Sequence, residues 1–242
     1  MFEFDAIVIG SGIGGLTTAA ILARIKRKRV LVLERHFRAG GFTHTFKRPG
    51  GFRWDVGLHY VGEMEEGSRS RMLLDFVTGG VKWNPLPRVY DRFLYPGLTF
   101  DVPKGASEYR RALIEKFPGE AAAIARYFLD IRKAARFVAR SIVSGSMPGV
   151  IAQLMRLANR PTSRMPLLTT REYFQEHFKD PLLRALLASQ WIDYGLPPSK
   201  SAFAIHALIV NHYLEGAWYP HGGAGVIAEG AQKVSRAPAA RC

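Results

Sequence analysis

The chain has 242 residues, 48% of them hydrophobic, so it can bury a sizeable core and is not expected to be disordered. Its formal charge of +14 at pH 7 raises the question of a polyanionic partner. A single cysteine, Cys242, excludes an intrachain disulfide and a thiolate metal site. The first residues lack a signal-peptide pattern, and no apolar run reaches the roughly 20 residues of a membrane-spanning helix. We therefore expect a cytoplasmic protein, with peripheral membrane contact left open.

The first elements predict a strand, a glycine-rich turn and a helix that together bind a dinucleotide. The run DAIVIG is typical of a buried parallel strand, and LTTAAILARI has the apolar periodicity of a helix. In the turn GSGIGG between them, Gly10 would permit the tight bend and Gly12 would let the backbone approach a pyrophosphate. Gly15 would allow close packing of helix on strand, and Gly14 lies in the same turn. The free N–H groups and dipole of the helix start favour an anion there.

The next strand, RVLVLE, strengthens the prediction of a nucleotide site. Its last residue, Glu34, lies nineteen residues after Gly15, where a carboxylate can accept hydrogen bonds from ribose hydroxyls. The same charge would repel a 2′-phosphate, which argues against NADP. A glycine-rich turn followed by an ordinary surface glutamate is the alternative. The loop ERHFRAGGFTHTF then places Arg38, Gly40 and Gly41 where a longer dinucleotide could lie against bare backbone.

The Glu, Arg, Gly-Gly spacing resembles that of FAD enzymes in the amine oxidase and phytoene desaturase superfamily. Together with FRWDVGLHYVGEMEEGSRSRMLLD, EKFPGE and SAFAIHALIVNHYLEGAWYPHGG, it makes the chain similar to retinol saturase, the carotenoid isomerases and the bacterial phytoene desaturases. The match runs in register from about Phe4 to about Ala228. The resemblance implies an α/β fold, with a Rossmann-type FAD/NAD(P)-binding domain and an inserted substrate domain of antiparallel sheet and helices.

The resemblance also implies the cofactor, the chemistry and the partners. FAD would be bound by Gly10, Gly12, Gly14, Gly15, Glu34, Arg38, Gly40 and Gly41, with the Thr43 to Thr45 region and Gly57 near the flavin. The implied reaction is hydrogen transfer at a carbon–carbon double bond of an apolar isoprenoid polyene, by saturation, desaturation or flavin-assisted isomerisation. An unidentified redox partner would supply or accept the electrons of this reaction. His59 is the best ionisable candidate for catalysis, although a histidine hydrogen-bonded at a strand end explains it equally well.

The middle of the chain predicts a β-hairpin followed by helices. The run DRFLYPGLTFDVP reads as two strands joined at Pro96 and Gly97. Helices are expected near residues 107–117, 120–143 and 199–214, and a further one begins at the capping-box pair Thr169 and Glu172. His206 and His212 are six apart, so we expect core or tunnel-wall residues and no metal site.

Residues 131–171 contain no Asp or Glu but many arginines. One interpretation is a membrane-surface segment through which a water-insoluble polyene could enter, because basic amphipathic helices bind anionic headgroups. The other is an ordinary apolar face with solvated arginines. Nucleic-acid binding is not expected, since these arginines are not interleaved with aromatics in a recognisable module.

We expect three segments. Residues 1–80 form the first part of the FAD-binding domain, 81–215 the substrate domain, and 216–242 the start of a return towards the flavin. The final stretch, rich in Ala, Arg and Pro, predicts a truncated chain. Two functional classes stay open. One is a polyene-specific flavoenzyme, and the other is a non-catalytic fragment of such a protein that binds flavin weakly or not at all.

Overall fold

A computed structural model of the chain describes residues 3–160 and 164–236. The strands are β1 (Ala6–Ile9), β2 (Val30–Leu33), β3 (Thr45–Lys47), β4 (Arg53–Asp55), β5 (Trp83–Pro85), β6 (Val89–Tyr95), β7 (Leu98–Pro103) and β8 (Trp218–Pro220). The helices are α1 (Ile13–Arg24), α2 (Arg69–Thr78), α3 (Ala106–Lys116), α4 (Ala121–Gly145), α5 (Gly149–Ala158), α6 (Thr170–His177), α7 (Pro181–Ala188), α8 (Trp191–Tyr194), α9 (Phe203–Tyr213) and α10 (Gly225–Arg236). The chain divides into two compact units, residues 1–86 with 217–242, and residues 87–216.

The first unit contains the strand, turn and helix that the opening residues predict. Strands β1 and β2 pair in parallel with Ala6 opposite Val30, and α1 connects them. Helix α1 packs against α2 and α10, so the chain returns to its own start. The small core of these helices consists of Leu16, Ala20, Val77, Ala228 and Ala231. Ala20 and Ala231 lack long side chains, which allows the helices to approach closely.

Strand β1 is less buried than its sequence predicts. Ile7 is 61% exposed and Ile9 is 86% exposed. Helix α1 covers the opposite face of β1, where a Val8 methyl group lies 3.4 Å from the position of a Cβ at Gly15. Side chains alternate across a strand, and the face that carries Ile7 and Ile9 is the exposed one. The prediction of a fully buried strand is wrong for these two positions.

The second unit is an antiparallel hairpin with helices. Strands β6 and β7 pair in antiparallel register, with Tyr95 opposite Leu98 next to the turn. Gly97 in that turn has a φ of 75°, as the Pro-Gly turn requires. Helix α4 packs closely on α9, and the fully buried Tyr127 and His206 meet there. No helix in the described parts of the chain combines the length and apolarity needed to cross a bilayer.

Most of the expected helices are confirmed, and one begins later than expected. The capping box of Thr169 and Glu172 opens α6, with hydrogen bonds in both directions. Helix α9 begins at Phe203 instead of residue 199, because Ala202 is extended and bridges Thr169 while the Phe203 amide donates to the Leu168 carbonyl. The Ala, Arg and Pro tail from residue 237 and residues 161–163 of the basic segment lie outside the described residues.

Candidate dinucleotide site

The glycine-rich turn between β1 and α1 combines two kinds of glycine. A Cβ at Gly15 would lie 2.0 Å from the Gly10 carbonyl oxygen, so close packing alone demands glycine there. Gly10 itself has a φ of 96°, and its amide donates to the Leu33 carbonyl at 2.7 Å. By contrast, a Cβ at Gly12 or Gly14 would meet no atom within 4 Å. No protein contact therefore explains these two glycines, and the space over the start of α1 is open.

Glu34 follows β2 and reaches back to this turn. Its Oε2 accepts from the amide of Ser11 at 2.8 Å and from its hydroxyl at 2.6 Å, while Oε1 accepts from the His36 amide at 2.9 Å. The Ser11 hydroxyl first, and then the backbone amides of His36 and Ser11, lower the pKa of Glu34 to about 2. Glu34 is therefore ionised at neutral pH, and Oε1 keeps capacity to accept a further hydrogen bond.

The Gly-Gly loop lies directly against the glycine-rich turn. The Gly40 amide donates to the backbone carbonyl of Ser11 at 3.1 Å, and a Cβ at Gly41 would lie 2.9 Å from the Cα of Gly12. Gly40 has a φ of 122° and also faces α10, where an added Cβ would lie 2.7 Å from that of Ala228. Thr43 is buried and donates from its hydroxyl to the Gly40 carbonyl at 2.8 Å. The glycine-rich turn and the Gly-Gly loop, which the sequence indicated separately, therefore pack against each other.

A cavity of about 300 Å³ opens beside these loops, a size at the lower end of small-molecule sites. Three of the predicted cofactor residues line it, namely Glu34, Arg38 and Gly41. His44, which also lines it, belongs to the Thr43 to Thr45 region that the sequence places near the flavin. The remaining lining residues were not predicted from the sequence: Arg35, His36, Phe42 and Val56. The rings of His36 and His44 have centroids 4.8 Å apart. For Arg35, His36 and Phe42 the signal is the loop ERHFRAGGFTHTF, in which aromatic residues and histidines alternate with the predicted contacts, whereas Val56 lies outside that loop.

Arg38, Gly57 and His59 make contacts within the protein, and of these three predicted residues Arg38 alone lines the cavity. The Arg38 guanidinium donates to the Thr45 carbonyl at 2.6 Å, which holds the loop in place. Gly57 gives room to the Phe42 ring, since an added Cβ would approach it to 2.8 Å. His59 is exposed, packs edge-on against the Tyr60 ring and does not line the cavity. A catalytic role for His59 stays a prediction.

The return segment is fixed to this region through Asp55, at the end of β4. The Tyr219 hydroxyl donates to its Oδ2, and the Ala224 amide at the start of α10 donates to its Oδ1 at 3.2 Å. Burial, followed by the hydrogen bond to Asp55, raises the pKa of Tyr219 to about 12. The Asp55 carboxylate therefore positions α10, and with it Ala228 against Gly40.

We expect Asp55→Ala to lower the free energy of unfolding by about 1–3 kcal/mol, because it leaves the Tyr219 hydroxyl and the Ala224 amide without their acceptor. Asp101→Ala is the matched control. It removes a carboxylate that pairs with Arg92 at an exposed site, where such pairs contribute about 0–1 kcal/mol. Urea unfolding compares the two. Equal losses would show that Asp55 has no special role in holding the return segment.

The described residues contain no group of three or more His, Cys, Asp or Glu side chains placed to hold a metal ion.

Comparison with known proteins agrees with this geometry. The profile of the NAD(P)-binding Rossmann-like domain matches residues 8–77. The chain is 40% identical over 236 residues to all-trans-retinol 13,14-reductase of Macaca fascicularis, which covers 93% of this chain and 38% of that protein. It is 28% identical over 237 residues to prolycopene isomerase 2 of an Oncidium hybrid cultivar, covering 94% of this chain and 40% of that protein.

Among solved structures, cyclohexylamine oxidase from Brevibacterium oxydans matches with a TM-score of 0.62 and 18% identity, covering 97% of this chain and 49% of the other. At this identity the likeness concerns the fold. It supports an α/β fold of Rossmann type with an inserted unit of hairpin and helices, and the NAD(P)-binding description comes from the domain profile over residues 8–77. The chain spans 38% of the length of the retinol reductase that it matches. Over that part, the chain is similar to both the retinol reductase and the prolycopene isomerase, in agreement with the resemblance that its sequence indicates.

Proposed function

We propose that this chain is the nucleotide-binding and substrate-domain part of an FAD-dependent oxidoreductase that acts on a carbon–carbon double bond of an isoprenoid polyene. The observation that carries the proposal is the 40% identity to an all-trans-retinol 13,14-reductase across 93% of the chain. That identity runs through both structural units, so it is not explained by a shared nucleotide fold alone. The lower identity of 28% to a prolycopene isomerase makes isomerisation the second candidate.

The residues of the site fit the adenosine diphosphate half of FAD. The open space over Gly12 and Gly14 lies at the start of α1, whose first N–H groups have no partner within the helix. A pyrophosphate there would gain these donors and the positive end of the helix dipole. Glu34 is ionised and would accept from the ribose hydroxyls, and Gly40 and Gly41 keep the neighbouring backbone free of side chains.

When bound, FAD supplies the hydrogen transfer, while the protein binds, orients and excludes water. In this chain the glycine-rich turn and Glu34 would fix the cofactor. We assign no residue of the chain as catalytic acid or base. The substrate proposed is an apolar polyene, with retinol first because of the identity to the retinol reductase. A membrane-facing segment would give such a molecule a route to the protein, and a separate redox partner would supply or remove electrons.

Flavin retention tests the cofactor. We expect the purified chain to retain FAD through gel filtration, or to bind FAD in a fluorescence titration in which NADP does not displace it. Glu34→Gln should weaken binding about tenfold or more, because it removes the charge that ribose hydroxyls would meet. Glu229→Gln, on α10, is the control for the loss of a carboxylate. A chain that stays colourless and does not titrate would instead support the non-catalytic alternative.

The substrate class is tested separately, with flavin-loaded protein. Incubation with all-trans-retinol and a chemical reductant should yield a product with one double bond fewer. Incubation with a poly-cis carotene, analysed in the same way, tests the isomerase alternative. Flavin binding without conversion of either polyene would leave the cofactor assignment standing and would contradict conversion of these polyenes by this chain itself.

A further inference from the structure

His44 lies next to the open side of the glycine-rich turn. A Cβ at Gly41 would lie 2.9 Å from the Cα of Gly12, and the Nδ1 of His44 is hydrogen-bonded to the carbonyl oxygen of the same Gly41. The His44 ring is half-buried and lines the cavity of about 300 Å³ beside the turn. His44 is therefore close to the backbone of Gly12, over which we place the pyrophosphate of the dinucleotide.

The contact with Gly41 determines which nitrogen of the His44 ring carries the proton. A carbonyl oxygen can only accept a hydrogen bond, so Nδ1 is the donor and Nε2 of the neutral ring has a lone pair. Within the described residues, the hydrogen bond to Gly41 is the only one that the ring makes. The lone pair of Nε2 would repel a phosphate oxygen, whereas protonation would turn the same nitrogen into a charged donor.

His36 stands beside this ring and has the opposite tautomer. The two ring centroids are 4.8 Å apart. The Arg38 amide donates to Nδ1 of His36 at 3.1 Å, so the neutral His36 ring carries its proton on Nε2. A proton added at Nδ1 would meet the Arg38 carbonyl oxygen, 3.0 Å away, and not a ligand. Two positive rings this close repel each other, so the pair takes up one proton far more readily than two.

The charges around the two rings make this protonation depend on a ligand. The other charged side chains that line the cavity are Glu34, Arg35 and Arg38. Charged side chains of β3, β4 and the first half of α10 do not line it, namely Lys47, Arg53, Asp55 and Glu229. Two guanidiniums and one carboxylate leave the cavity with an excess of positive charge, which opposes a further proton. A pyrophosphate would bring two negative charges and would favour that proton.

We propose that protonated His44 binds the pyrophosphate of the dinucleotide, so that binding takes up one proton from solvent. Histidine is the side chain whose charge ordinarily changes between pH 5 and 8. By linkage, a ligand that favours the protonated form binds more tightly as the pH falls through this range. Glu34, with its pKa of about 2, stays ionised throughout and adds no pH dependence. In taking the ligand to be FAD, we rely on the proposed function.

Calorimetric titration of the 242-residue chain with FAD measures the proton uptake directly. Titrations at pH 7.5 in Hepes and in Tris, which differ in their heat of ionisation, should show uptake of about half a proton or more per FAD. The dissociation constant should rise about threefold or more between pH 6 and pH 8. The pyrophosphate of FAD does not itself titrate in this range, so the protein must supply the titrating group.

His44→Asn removes the titrating nitrogen and keeps the contact with Gly41. The amide nitrogen of asparagine takes the place of Nδ1 as a donor, while Nε2 is lost. We expect this variant to bind FAD without proton uptake, with a dissociation constant that stays near the parent's value at pH 8. His177→Asn is the matched control, because Nδ1 of His177 lies 2.9 Å from the Tyr173 carbonyl oxygen in the second unit. It should keep the proton uptake of the parent.

His36→Asn distinguishes the two rings of the cavity. The side-chain oxygen of asparagine can still accept from the Arg38 amide, so the loop keeps its hydrogen bond and only the second ring is lost. Proton uptake should persist in this variant. Far-ultraviolet circular dichroism checks that all three variants are folded.

Two results would overturn the role of His44 and leave FAD as the cofactor. One is a parent chain that binds FAD with no proton uptake and with the same affinity at pH 6 and pH 8. The other is uptake that persists in His44→Asn, which would assign the proton to another group, and to His36 if His36→Asn abolishes it. A chain that does not bind FAD at any pH would contradict the cofactor assignment itself, and the role of His44 with it.

Discussion

Gly15→Ala is expected to destabilise the first unit by about 3 kcal/mol or more. The new Cβ would lie 2.0 Å from the Gly10 carbonyl oxygen and 3.4 Å from a methyl group of Val8. Backbone cannot yield as a flexible side chain can, so α1 would have to move away from β1. Overpacking of a well-packed contact costs about 1–3 kcal/mol and occasionally more, and this contact involves the backbone of the turn itself. Urea unfolding measures the loss.

Gly14→Ala is the matched control one position earlier. Its Cβ meets nothing within 4 Å, and alanine is a better helix residue than glycine by roughly 0.5–1 kcal/mol. We therefore expect no loss of stability and a small gain. If Gly14→Ala destabilised the unit as much as Gly15→Ala, the close approach of helix and strand would not be the reason for Gly15.

Gly12→Ala separates folding from binding at the same turn. Gly12 has an ordinary φ of −62° and no neighbour that a Cβ would touch, so stability should change by less than about 1 kcal/mol. FAD binding, on the other hand, should fall sharply if a pyrophosphate lies over this backbone. A stable Gly12→Ala protein that binds FAD as well as the parent would place the nucleotide elsewhere.

This contrast among neighbouring glycines shows where sequence reasoning succeeds and where it ends. The strand, turn and helix, the partner carboxylate Glu34 and the Gly-Gly loop follow from spacing alone, because local geometry dictates them. The sequence did not reveal that Ser11 links Glu34 to the turn, or that Gly40 faces Ala228 on α10. These contacts join residues far apart in the chain, so no local pattern encodes them.

Asp55 and His206 illustrate the same limit in different ways. In the sequence, Asp55 lies between Trp54 and Val56, and nothing there indicates its partner. In the structure its partners are Tyr219 and Ala224, and it holds the return segment. For His206 the expectation of a core residue was sound, but its two hydroxyl partners come from separate helices. A single sequence indicates that a polar residue is unusual, whereas its partner becomes evident only in the fold.

His206 leads to the second large expected effect, a loss of stability in mild acid. The ring is fully buried; its Nε2 lies 2.8 Å from the Tyr127 hydroxyl and its Nδ1 3.4 Å from the Tyr194 hydroxyl. Burial lowers the pKa of His206 from 6.5 to about 3. Below pH 6.5 the unfolded chain therefore binds a proton that the folded unit does not. Stability from this group is present above that pH and is lost as the pH falls towards 3.

The expected loss is about 2 kcal/mol between neutral pH and pH 5, since each pH unit in this window contributes roughly 1.4 kcal/mol. His206→Gln keeps a polar side chain that does not titrate. The variant should therefore be less stable than the parent at neutral pH, and its free energy of unfolding should fall less between neutral pH and pH 5. Trp191 is the one tryptophan of this unit. Its fluorescence, with Trp54, Trp83 and Trp218 replaced by phenylalanine, reports urea unfolding of this unit alone.

The decisive quantity is the difference in the free energy of unfolding between the parent and His206→Gln. Taking this difference removes the contribution of every other titrating group. It should narrow as the pH falls from 7 to 5 and stay constant above neutrality, where His206 is uncharged in both the folded and the unfolded chain. A difference that does not change with pH would mean that the buried ring accepts a proton without penalty. Water or a carboxylate would then have to reach it, and the packed contact of α4 with α9 around Tyr127 would have to open at neutral pH.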